Sequence, residues 1–72
     1  MTRTEHVAWA KARALEYVEM GDPAQAYASL ASDLGKHAET SGHAAIELGI
    51  GLLMIGDLRT AAKMREFVEG VQ

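Results

Sequence analysis

The chain has 72 residues, with ten acidic against seven basic side chains for a net charge of −3, a hydrophobic fraction of 49% and no cysteine. The missing thiols exclude disulfide bracing and thiolate zinc sites, and the scattered cations exclude the basic face that DNA or RNA binding normally requires. Length allows one domain, 1–72, which should be marginally stable alone because so short a chain buries only about 60% of its unfolded surface; small scaffolds of this kind often gain stability by self-association.

Thr2 and Glu5 match a capping box, which predicts a first helix over about 3–20 with Gly21 as its stop. Val7, Ala10, Ala14, Leu15, Tyr17 and Val18 gather on one side of it, and Glu5, Arg13 and Glu16 on the other. Trp9 and Met20 break the pattern by falling on the polar side, while Lys11 falls within the apolar one. Asp22-Pro23 reads as an N-cap followed by proline at the first helical position. The second helix runs over about 23–34, with Ala26, Tyr27, Leu30, Ala31 and Leu34 on one face and Gln25, Ser29, Ser32 and Asp33 facing away. Gly35 ends it, and KHAETSG (36–42) is a polar loop.

The stretch AAIELGIGLLMI (44–55) carries one charge, Glu47, and forms most of a third helix over about 43–55. A helix apolar on nearly every side is a buried one, and at about 18 Å it is too short to span a bilayer. Gly49 and Gly51 each lower helix propensity by up to about 1 kcal/mol, which is tolerated where a neighbouring helix crosses closely. Gly56 closes this helix. Asp57 or Thr60 caps a fourth, over about 58–70, with Ala61, Met64, Phe67, Val68 and Val71 on one face. The expected architecture is all-α: a compact four-helix domain of two packed αα-hairpins around a buried central helix 3. Any part of Ile46, Leu53 or Met54 left uncovered would call for a second subunit.

Gly21-Asp22 and Gly56-Asp57 stand 35 residues apart, each between two helices. The segment ARALEYVEMGDPAQAYASL resembles one tetratricopeptide hairpin, a repeat of about 34 residues. The alternative is that Gly-Asp simply stops one helix and caps the next, as any helical hairpin requires.

No phosphate loop, nucleophile elbow or dinucleotide fingerprint occurs, since LGIGL places its glycines inside a helix with no preceding strand. Glu47 has no second acid or nucleophile in the sequence to work with. It is expected at a solvent-facing edge of helix 3, or paired with Lys11 or Arg65. His37, Glu39 and His43 are the weak candidates for a metal, although their spacing matches no ligand signature. No catalytic residue, metal or cofactor is expected, and the chain reads as a non-enzyme. Trp9, Arg13 and Met20 align on the outer side of helix 1 and are residue types enriched in interface cores. Either they form a docking stripe for a second copy or another protein, with Tyr17 or Tyr27 contributing if partly exposed, or Trp9 is covered by the chain's own C-terminus or by the 36–42 loop.

Taken together, EHVAWAKARALEYVEMGD, SLASDLGKH, HAAIELGIGLLMIGDL and MREFVEGV resemble a family of small helical proteins encoded by tailed bacteriophages and prophages. The resemblance spans nearly the whole chain and departs from the family at Ala38, where members often carry proline. It implies a phage or prophage origin and a small helical fold, and supplies no catalytic or ligand residues. The expected function is therefore protein–protein interaction, with homo-oligomer formation, in the cytoplasm of a host cell, without membrane or nucleic-acid partners. An alternative is a host-directed inhibitor that binds a bacterial protein, with Glu5, Glu16 and Glu19 as its acidic face. A third is a metal-binding helical protein.

Overall fold

The computed structural model describes residues 2–37, 40, 42–56 and 58–72. Four helices follow one another, α1 (Arg3–Glu19), α2 (Pro23–Gly35), α3 (Ala44–Met54) and α4 (Ala61–Glu69), with no strand among the described residues. The local signals explain the ends. Thr2 caps α1 through the Glu5 amide, and the Glu5 carboxylate accepts from the Thr2 amide in return. At the other end Gly21 takes φ +77°, its amide donates to Val18 and the Asp22 amide to Tyr17, so one left-handed residue closes α1 as a Schellman turn. Asp22 at once caps α2 through the Gln25 amide. After α3 Gly56 also takes a left-handed conformation, φ +81°, with its amide donating to Leu53, and Thr60 caps α4. Asp57, the other candidate cap, lies outside the described residues.

Three helices make the core. Val7, Ala10, Ala14 and Val18 of α1 face Ala26, Tyr27, Leu30 and Leu34 of α2, while Met64 and Val68 of α4 close the third side with Leu58 and Val71. The small side chains of Ala10, Ala14 and Ala26, all fully buried, let α1 and α2 approach closely. Lys11 binds α4 to α1: its ammonium donates to the carbonyls of Glu69 and Val71, where the helix ends and negative charge accumulates. Its place among apolar residues thus serves α4 rather than Glu47.

α3 is not the central helix. It lies at the edge, packed chiefly on α2, and only Ala45 and Gly49 are buried. The reason is that α1, α2 and α4 present their apolar faces to one another, and the close α1–α2 approach leaves no room for a fourth helix between them. α3 and α4 are not a side-by-side hairpin either, since α4 packs on α1 and α2. The two halves of the chain are therefore unlike, which fits the capping explanation of the Gly-Asp pairs better than a tandem repeat.

Candidate functional site

Two surfaces carry the residues singled out in the sequence. The first lies across α1 and the end of α2. His6, Trp9 and Arg13, at spacings of three and four, form a row on α1. The His6 ring is buried and its Nε2–H donates to the Asp33 carbonyl at 2.7 Å. Its ring centroid stands 5.5 Å from that of Trp9 and 5.1 Å from that of His37. The Arg13 guanidinium carbon sits 4.9 Å from the Trp9 ring centroid and the Lys36 ammonium 5.7 Å. Both cations also converge on Asp33, with Arg13 Nε 2.6 Å from Oδ2 and Lys36 Nζ 3.0 Å from Oδ1.

Asp33 is only 1% exposed. It does not face away as the α2 pattern suggests, because α1 packs over that side and brings Arg13 to it. Burial alone would raise the Asp33 carboxyl, but the hydrogen bonds and charges of Lys36 and Arg13 outweigh it and hold the pKa below its ordinary value. Trp9 remains 36% exposed at the rim of this cluster. It is neither core nor fully open, since His6 beneath it and the two cations beside it cover most of the ring. Trp9 and Arg13 belong together, whereas exposed Met20 stands at the far end of α1, roughly 10 Å along the axis from Arg13. Tyr27 is buried and Tyr17 half-buried, so neither adds an open ring to this surface.

The second surface is α3. Leu48, Ile50, Met54 and Ile55 are 58%, 48%, 82% and 76% exposed. Of the three residues proposed for oligomer contacts, Met54 is open to solvent, while Ile46 and Leu53 pack half-buried against the core. Gly49 sets this orientation. A β-carbon there would overlap Cε1 of Tyr27, 2.8 Å from Cδ1 and 3.1 Å from Cζ of Phe67. The Tyr27 hydroxyl also donates to the Ile46 carbonyl at 2.6 Å. With Gly49 turned inward, Gly51 must point outward, and beyond its own helix backbone a β-carbon on it would meet none of the described residues within 4 Å. The glycine pair was the signal for orientation, because only one of the two can face a close neighbour. Between α3 and α4 opens a cleft of about 540 Å³, lined by Leu48, Leu52, Leu58 and Phe67 with Lys63 and Glu66.

Glu47 is exposed on α3, the solvent-edge position expected for it. His43 caps α3: Nδ1 accepts from the Ala45 amide and Nε2–H donates to the Gln72 carbonyl, so both ring nitrogens are engaged. His37 lies beside His6 instead, and Glu39 falls outside the described residues. Among the described residues no three His, Cys, Asp or Glu side chains are grouped to hold a metal ion, and no helix is long and apolar enough to cross a membrane. Compared with known protein families, curated proteins and solved structures, the chain matches none.

Proposed function

We propose that this chain is a non-enzymatic protein-interaction module that self-associates through the outer face of α3. The observation that carries the reading is the exposure of Leu48, Ile50, Met54 and Ile55 on one helix, in a domain whose other three helices bury their apolar faces. Burying apolar area contributes roughly 25 cal/mol per Å², and an apolar helix with a single charge has little to lose on entering an interface. A second copy of the chain is the partner that always accompanies it, and a two-fold interface needs only a patch complementary to itself. The phage or prophage origin implied by the resemblance fits such a small accessory module. Light scattering across a wide concentration range tests the reading. Growth of the particle towards twice the 7.7 kDa chain mass supports it, and a mass that stays at one chain opposes it.

A second reading rests on Trp9. Its half-open ring, flanked by Arg13 and Lys36, suits an anchor for a different protein, including a host protein that a phage product redirects. Capture of one host protein by the chain and not by Trp9→Ala would favour it.

A further inference from the structure

Given self-association through α3, on which this inference rests, we infer that two copies pair with their α3 helices antiparallel and crossing at Gly51. At about 100° per residue, Gly51 lies in the middle of the outward arc, with Leu48 and Ile55 on one flank and Ile50 and Met54 on the other. The glycine is a notch between four exposed apolar side chains. Among the described residues nothing beyond its own helix backbone comes within 4 Å of where its β-carbon would be, so the packing of the domain does not require the missing side chain. A helix crossing there gains the close approach that Gly51 permits, and the four side chains close around it.

Area and charge select the occupant and its direction. Leu48, Ile50, Met54 and Ile55 expose roughly 500 Å² together, so their complete burial in two copies would remove about 1,000 Å² from water, the area that a specific interface must reach. Glu47, the single charge on α3, lies one turn from Gly51 on the same outward arc. Parallel pairing would set the two Glu47 carboxylates side by side in an apolar contact. Antiparallel pairing moves them about 12 Å apart along the axis. It also brings each Glu47 to the level of the partner's corner after α3, where the Arg59 side chain folds over Gly56. Among the described residues neither Glu47 nor Arg59 has an ion pair within its own chain.

The absence of native cysteine makes the geometry directly testable by disulfide trapping. Positions 47, 51 and 55 all point into open space, so a thiol at each leaves the monomer's packing unchanged. A disulfide forms only when the α-carbons approach within about 7 Å. Under mild oxidation Gly51→Cys is expected to give covalent dimers, Glu47→Cys alone none, and a mixture of Glu47→Cys with Ile55→Cys a mixed dimer. Self-linking of Glu47→Cys as efficient as that of Gly51→Cys would establish parallel pairing and overturn the inference. So would a Gly51→Cys protein that itself dimerises by mass yet never forms the covalent link. A protein that stays monomeric by mass removes the self-association reading itself, a result distinct from either.

Discussion

The Tyr27 ring occupies the space that a side chain at Gly49 would fill, and the Tyr27 hydroxyl donates to the Ile46 carbonyl one turn away. These two contacts pin α3 to α2 and, with Phe67 of α4 also against Gly49, decide which side of an almost wholly apolar helix faces water. It also makes the two glycines of α3 opposite in kind. Gly49→Ala should lower stability by about 1–2 kcal/mol, the overpacking penalty less the helix-propensity gain. Gly51→Ala should raise monomer stability by up to about 1 kcal/mol. Thermal melts at concentrations low enough to keep the chain monomeric check both, and equal shifts of the same sign would refute the assignment.

The buried carboxylate of Asp33 makes stability depend on pH in a defined direction. Its folded pKa lies below the ordinary 3.8, so its contribution is complete above that value and is lost as the pH falls through the lower folded one. Asp33→Asn should cost about 1–2 kcal/mol at pH 7, a figure reduced because Arg13 and Lys36 keep their charged groups partly in water. Denaturant titrations from pH 7 to 2.5 should show the gap between the two proteins narrowing below pH 4.

Trp9 separates the two surfaces. Trp9→Ala removes ring contacts with His6 and Arg13 and should cost about 1–2 kcal/mol of stability. Its dissociation constant for self-association should stay within about twofold of the parent chain's, since the paired helices lie elsewhere. A much weaker dimer at unchanged fold would move the interface to α1.

Much of this was legible in the sequence where the cause was local. Thr2 with Glu5, Gly21 and Asp22-Pro23 act within a few residues of themselves, and each ends or begins a helix where the pattern places it. The position of α3 was not legible, because apolarity on all sides says that a helix needs covering without saying what covers it. The burial of Asp33 is hidden in the sequence for a related reason. Its two cations come from α1 and from the residue after α2, and only the packing of those elements brings them together. Gly51 is intermediate, informative once Gly49 is known to face Tyr27.

Charge reversal examines the direction of pairing. Glu47→Arg or Arg59→Glu alone should weaken dimerisation several-fold at low salt, and the double variant should recover most of the loss. Both groups are exposed in the monomer, so circular dichroism should be unchanged in all three. Loss without recovery in the double variant would separate the two side chains.

The outward face of α3 is tested most directly by sedimentation equilibrium of the parent chain beside Ile55→Lys. Ile55 is 76% exposed and follows the last turn of α3, so the charge should leave the monomer folded. The parent chain should form a reversible dimer, and the variant's dissociation constant should be at least about tenfold higher, equivalent to 1.4 kcal/mol. Identical dissociation constants, or a parent chain that sediments as a monomer at every concentration, would contradict it.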